Sequence, residues 1–291
     1  MRDRKIYKLP GDYTIMDRMI RVMHEAALEV ENSLKGLREP FGLKVADGAD
    51  GTPTAIVDRV AEDAIVRVME RHNLSFKMLS EESGFKHVGS DDVEDWLIVD
   101  PIDGSFNAIN GFPYFSVSLA VGKDDMQGVT HALVRNLVNG EVYFAVRGGG
   151  AYFIPKGAGP DKMVRAEVRR FKSSSSLFFA YLGNHASRRS FDIARIPRRI
   201  RSFGSASLEM CEVAVGRADA YLLECDPPRS RIRIVDIAAS QLILKEAGGE
   251  LFDTETLEPL NLPINLDIRK NVIAVGDNRV MEWVREKVLE A

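Results

Sequence analysis

Residues 96–105 read WLIVDPIDGS, which places two carboxylates, Asp100 and Asp103, three residues apart beside a glycine and the hydroxyl of Ser105. Two anions this close repel, and each tends to take up a proton unless a cation lies between them. Carboxylate oxygens are hard ligands that suit Mg²⁺ or Mn²⁺. Ser105, at a predicted helix start, adds backbone N–H groups that favour a phosphate. The turn is therefore expected to hold a divalent metal and a phosphate. Asp and Gly also dominate turns for conformational reasons alone, so the surrounding chain must decide between the two readings.

The elements that would position this turn can be read from periodicity. Residues 96–99 form a bulky, β-branched run expected to be a buried strand, ended by Pro101, which has no N–H for a ladder. SFKMLS is a second strand, and it delivers Glu81 and Glu82. If the two strands are parallel neighbours, Glu81 and Asp100 leave the same edge of a sheet. Apolar steps of three and four predict helices over 12–35 and 55–72, the latter with Asp58 in its first turn. Between them FGLKVADGADGTPT reads as a mobile flap. From 115 to 154 short apolar runs alternate with turns, an antiparallel meander.

Loop-forming stretches at 155–175 divide the chain into halves, 1–165 and 166–291. The second half offers a strand SLFFAYLG, a helix SASLEMCEVAVG entered through Gly204 and Ser205, and a strand ADAYLL. An irregular basic segment, ECDPPRSRIR, follows. A helix with Val235, Ala238, Ala239, Leu242 and Ile243 on one face then carries Asp236 in its first turn and stops at Gly248-Gly249. NVIAVG is a last strand and 278–289 a closing helix.

Composition limits the function classes. With 291 residues, 45% hydrophobic and 28% charged, the chain can bury a large core. A net charge of −4 argues against a nucleic-acid surface, and no apolar run is long enough to span a membrane. Cys211 and Cys225 form no C-x-x-C pair, which fits a reducing cytoplasm. The five histidines lack ligand spacing, so zinc is not expected.

Three ordered motifs then stand together: Glu81-Glu82-Ser83, Asp100-Pro101-Ile102-Asp103-Gly104-Ser105, and Asp236-Ile237-Ala238-Ala239 before Glu246-Ala247-Gly248-Gly249. This set resembles the signature of the inositol monophosphatase family, a Mg²⁺-dependent phosphatase superfamily that includes fructose-1,6-bisphosphatases. The resemblance runs from Asp58 to the glycine pair. It implies an α+β (α/β) fold, a layered αβαβα sandwich, with two to three Mg²⁺ ions (Mn²⁺ may substitute) between the halves. It implies one ion on Glu81, Asp100 and the Ile102 carbonyl, and a second on Asp100, Asp103 and Asp236. A third, weaker ion would sit near Glu81 and Asp58. Ser105 stands where Thr is common and, with Asp58 or Glu81, would orient the attacking water. Val235 stands where a Trp often precedes the third motif. Gly104, Ser105, Gly204 and Ser205 would contact substrate.

Within the family, Ser105, the FGSASLEMCEVAVG helix and Arg229-Ser230-Arg231-Ile232-Arg233 are similar to archaeal dual-activity enzymes. Those hydrolyse fructose 1,6-bisphosphate and inositol 1-phosphate. If the segment is extended, Arg229, Arg231 and Arg233 are candidates for clamping a second, non-reacting phosphate; a solvated basic edge is the plainer reading. Glu224 and Asp226 are both candidates for the sugar-binding acid. The alternatives are a nucleotide 3′-phosphatase acting on adenosine 3′,5′-bisphosphate, an NADP(H) phosphatase, or a non-catalytic regulatory homologue. A small phosphorylated substrate, no nucleic acid, no membrane and a cytoplasmic homodimer complete the expectation.

Overall fold

The computed structural model describes residues 16–48 and 53–289. Helix α1 (Arg18–Gly36) starts where the Asp17 side chain accepts the Ile20 N–H at 2.9 Å, an N-cap. The first four residues of the expected helix, 12–15, lie outside the described residues. The expected flap is in part a hairpin, in which β1 (Lys44–Asp47) pairs antiparallel with β2 (Pro53–Ala55). Its tip, 49–52, lies outside the described residues. Helix α2 (Ile56–Arg71) follows directly, which places Asp58 just beyond the hairpin.

The first sheet holds β3 (Phe76–Ser80), β4 (Gly84–Val88), β5 (Trp96–Asp103), β6 (Ser116–Gly122), β7 (Val129–Asn136), β8 (Val142–Val146), β9 (Gly150–Ile154) and β10 (Val164–Arg165). Their order is β10-β9-β8-β7-β6-β5-β3-β4. From β6 to β9 it is the expected antiparallel meander, which β5 extends on one side and β10 on the other. Between β5 and β6 sits the five-residue helix α3 (Ser105–Ile109). The β3–β5 pair is parallel, with Ser80 beside Val99, and so Glu81 and Asp100 do leave the same sheet edge.

The second sheet has the order β12-β11-β13-β15-β14. It is built from β11 (Leu177–Ala180), β12 (Arg199–Arg201), β13 (Ala220–Leu223), β14 (Glu250–Asp253) and β15 (Val272–Val275). Helices α4 (Arg188–Ala194), α5 (Ala206–Ala214), α6 (Ile234–Glu246) and α7 (Asn278–Val284) complete the chain. The closing helix is α-helical only to Val284 and continues as a π-helical turn, Arg285–Leu289.

Side-chain alternation along the strands explains the layering. In the first sheet Leu97, Val99, Leu119 and Phe144 face α1 and α2, whereas Ile98, Ala120, Val134 and Tyr143 face α5 and α6. In the second sheet Phe179, Tyr221 and Leu251 face the same two helices from the other side. Phe178, Leu222 and Ile273 point outward toward α4 and α7. The result is the αβαβα sandwich. Helix α6 has ten buried residues distributed around its whole circumference, as a helix between two sheets must.

Candidate active site

Pro101 does not end β5. The strand runs on to Asp103 through a bulge: Asp100 pairs with Ser118 and Asp103 with Ser116, so three steps on β5 match two on β6. A proline fits there because the bulge removes a ladder bond that needs an N–H, and bulges re-aim side chains beside active sites. The chain then turns at Gly104, whose φ is +93°. A Cβ there would meet the carbonyl oxygens of Gly204 and Tyr114 at 3.1 and 3.2 Å, and only glycine tolerates both constraints.

The turn is held from three sides. The Ser105 hydroxyl reaches Asp58 Oδ1 at 2.5 Å and the Ile102 carbonyl at 2.8 Å. Asp103 sits at the N-terminus of α5, where its Oδ2 accepts from the Ser205 hydroxyl at 2.6 Å and the Ser207 N–H at 2.8 Å, and its Oδ1 from the Ala206 N–H at 3.2 Å. On the third side, Asp236 Oδ2 accepts the Arg233 N–H at 2.7 Å, capping α6. One oxygen of Asp236 thus serves as an ordinary helix-capping acceptor. Its other oxygen, Oδ1, accepts from Arg233 Nη2 at 3.2 Å.

Glu81, Asp100 and Asp236 each offer an oxygen within 4.8 Å of the others. Burial and neighbouring charges shift Glu81 and Asp100 upward. Burial, and then the charges of Glu81 and Asp103, raise the Asp100 carboxyl well above its usual range. Burial lifts Glu81 to about 7, Asp236 adding to the rise while Arg233 opposes it. Asp103 rises by burial to about 6, moderated by its hydrogen bonds from Ser205 and Ser207. Asp58 also rises by burial to about 6, against the bond from Ser105. Asp100 Oδ1 is buried with no hydrogen-bond partner among the described residues. An all-oxygen donor set with an orphaned buried carboxylate oxygen fits a hard divalent cation.

Asp103 and Asp236 line a cavity of about 690 Å³, with Gly204, Tyr181, Asn184, Arg229 and Arg269 among its walls. Of the residues expected to bind substrate, the three arginines border this cavity and the two candidate acids do not. Residues 228–230 form a 3₁₀ turn, so the arginine segment is extended only from Arg231 onward, and the three arginines differ in their partners. Arg229 lines the cavity. Arg231 also borders it, but its guanidinium is bound to Glu255 at 2.9 Å and the Cys225 carbonyl at 3.2 Å. Arg233 is buried and binds Glu81 and Asp236. Glu224 lies 3.6 Å from Arg189, and neither it nor the exposed Asp226 is among the cavity's walls. Ser205 directs its hydroxyl to Asp103.

Two acids escaped the sequence reading. Glu62 is buried under the end of β3, bound by the Ser80 hydroxyl and by Lys86 at 2.5 Å. Its signal was an acid inside the apolar face of α2, four residues after Asp58. Glu209, in the first turn of α5, accepts the Phe203 N–H at 2.8 Å, and burial lifts it to about 8. Thr54 donates to Glu82 at 2.5 Å and ties the hairpin to the turn after β3.

The profile of the inositol monophosphatase family matches residues 15–290. The chain belongs to this family. It is thus a phosphatase, and the family is generally metal-dependent. A fructose-1,6-bisphosphatase/inositol-1-monophosphatase of Methanothermobacter thermautotrophicus is 34% identical over 271 residues, covering 89% of this chain and 92% of that protein. A bifunctional NADP phosphatase/NAD kinase of Methanococcus maripaludis is 32% identical over 284 residues, which is 90% of this chain but 48% of that protein. The crystal structure of the MJ0109 gene product, an inositol monophosphatase-fructose 1,6 bisphosphatase, superposes with a TM-score of 0.76 at 27% identity, covering 93% of this chain and 99% of that one.

Proposed function

We propose that this inositol monophosphatase family member is a Mg²⁺-dependent phosphomonoesterase acting on fructose 1,6-bisphosphate and inositol 1-phosphate. The observation that carries the reading is the convergence of Glu81, Asp100 and Asp236 within 4.8 Å beside a 690 Å³ cavity. In this reading Glu81, Asp100 and the Ile102 carbonyl hold one ion, Asp100, Asp103 and Asp236 a second, and Glu81 with Asp58 a weaker third. Mn²⁺ would substitute. When bound, such ions supply positive charge for the phosphate and for the departing oxygen.

The chain's own residues do the rest. Asp58 and Ser105, hydrogen-bonded at 2.5 Å, hold and orient the attacking water and take its proton. The α5 N-terminus fixes Asp103 through three hydrogen bonds, so a ligand oxygen is in place before substrate arrives. Arg229, at the cavity wall, is placed for a distal phosphate. The same reading makes the enzyme a cytoplasmic homodimer without nucleic-acid or membrane partners, which sedimentation and cell fractionation test. Among the described residues no helix is long and apolar enough to cross a membrane.

A second reading, NADP phosphatase, draws support from the size of the cavity and the arginines Arg229 and Arg269 on its wall. It also draws on the similarity to the bifunctional methanococcal enzyme. Phosphate release from fructose 1,6-bisphosphate, inositol 1-phosphate, NADP and adenosine 3′,5′-bisphosphate, with Mg²⁺ and with EDTA, tests both. The first reading expects EDTA-sensitive release with the highest kcat/KM on the first two substrates. A clear preference for NADP selects the second, and no metal-dependent release from any of them refutes both.

A further inference from the structure

Arg233 brings a guanidinium against two of the three acids of the carboxylate cluster. Its Nη2 donates to Glu81 Oε1 and, at 3.2 Å, to Asp236 Oδ1. The residue is 6% exposed. Its backbone is fixed, because its N–H donates to Asp236 Oδ2 at 2.7 Å directly before α6. The movable part is the long side chain, and the residue also borders the 690 Å³ cavity. Arginine cannot leave an anionic site by losing its proton, as a lysine can. A divalent ion that takes the Glu81 and Asp236 oxygens bound by Arg233 must therefore displace the guanidinium physically.

We propose that Arg233 is a resident counter-cation: it holds Glu81 and Asp236 in the metal-free enzyme, yields them to the incoming divalent cation, and then turns into the cavity to bind the reacting phosphate. This rests on the metal-binding reading above and adds a role that the reading does not contain. Three carboxylates packed together would otherwise repel one another in the metal-free fold. The resident cation relieves that repulsion, and metal binding must compete with it. Metal affinity is weakened and the metal-free fold is strengthened by the same contact. The displaced guanidinium carries a fixed charge and paired donors suited to phosphate oxygens.

Isothermal titration of Mg²⁺ into the metal-free wild type and Arg233→Gln, at one fixed pH for both, reads the competition directly. Loss of a charge-assisted hydrogen bond in the metal-free state should tighten Mg²⁺ binding by about ten- to a hundredfold. The melting temperature of the variant should fall in EDTA and match the wild type in Mg²⁺. Unchanged or weaker Mg²⁺ binding overturns the inference, as does an equal loss of melting temperature in both forms, which marks a merely structural role. If metal-free Arg233→Gln does not fold, Arg233→Lys decides. It keeps one charge but cannot span both acids as firmly, so its Mg²⁺ affinity must exceed that of the wild type, and an equal affinity overturns the proposal. Absence of Mg²⁺ binding by the wild type overturns the metal reading and this inference together. Binding by the wild type without tightening in the variant overturns this inference alone.

Discussion

The Ser105 hydroxyl and Asp58 Oδ1 lie 2.5 Å apart although 47 residues separate them in the chain. One comes from the turn after β5 and the other from the first turn of α2, so the pair joins two layers of the sandwich. The bond also lowers the Asp58 carboxyl against the burial that raises it to about 6. Ser105→Ala is expected to reduce kcat by about 10²–10⁴, the usual range for a proton-transfer group, with little change in KM. Without its donor the Asp58 carboxyl rises further, and the acidic limb of the kcat profile moves to higher pH. Ser105→Thr keeps the hydroxyl and should retain most activity. Steady-state kinetics across pH on the three proteins checks this, and a kcat for the alanine variant near that of the wild type would refute the role.

The raised carboxyls fix the sign of the pH dependence of stability. Asp58, Glu81, Asp103 and Glu209 stand at about 6, 7, 6 and 8 in the fold, from ordinary values of 3.8, 4.5, 3.8 and 4.5. Burial is the main cause for each. A folded pKa above the unfolded one means that the native state binds more protons between the two values. Stability is then greatest at the low end and declines as pH rises toward 8. The melting temperature of the EDTA-treated protein should fall between about pH 5.5 and pH 8.5, and Mg²⁺ should reduce that slope by neutralising the cluster. A flat or rising curve in EDTA contradicts the assignment. Asp277, held low mainly by its bond from Arg279, changes charge only below this window.

Gly104 offers a test of the turn that does not touch a carboxylate. A Cβ on this left-handed residue would press on two backbone carbonyls at 3.1 and 3.2 Å, neither of which can swing aside like a side-chain tip. The left-handed conformation alone costs a non-glycine residue roughly 1–2 kcal/mol. Gly104→Ala should lose at least that much in urea titrations. It should lose more activity than stability alone explains, because Asp103 and Ser105 flank the turn. A neutral substitution would mean that the turn relaxes freely.

What could be read in advance follows a physical divide. Asp58, Glu81, Asp100 and Asp236 were legible because each lies at an element end that periodicity locates, and the parallel β3–β5 pairing then forces two of them together. The bulge at Asp100–Asp103 was not legible, since proline reads as a strand stop and only the pairing with β6 shows the extra residue. Strand β12 (Arg199–Arg201) escaped notice because an exposed edge strand with two arginines has no apolar run to mark it. The different surroundings of the three arginines were hidden as well, since spacing by twos conceals the 3₁₀ turn at 228–230 and says nothing of the partners Glu255, Glu81 and Asp236.

Those surroundings separate the arginines into distinct predictions. Fructose 1,6-bisphosphate has a distal phosphate that inositol 1-phosphate lacks, so a distal clamp affects only the first. Arg229 lines the cavity, whereas the Arg231 guanidinium is bound to Glu255 and the Cys225 carbonyl. A charge-assisted hydrogen bond contributes roughly 1.5–3 kcal/mol, and 1.4 kcal/mol is about a factor of ten in rate. Arg229→Ala should therefore lower kcat/KM for the bisphosphate about ten- to a hundredfold while leaving inositol 1-phosphate nearly unchanged. Arg231→Ala should alter both substrates little, because an exposed pair of that kind contributes about 0–1 kcal/mol. Arg233→Ala should impair both alike, since its contacts are with the acids that every substrate must use. Parallel assays of the three variants on the two substrates give six numbers. Equal losses for Arg229→Ala on both would place it at the reacting phosphate, and no loss on either would leave it a solvated basic edge.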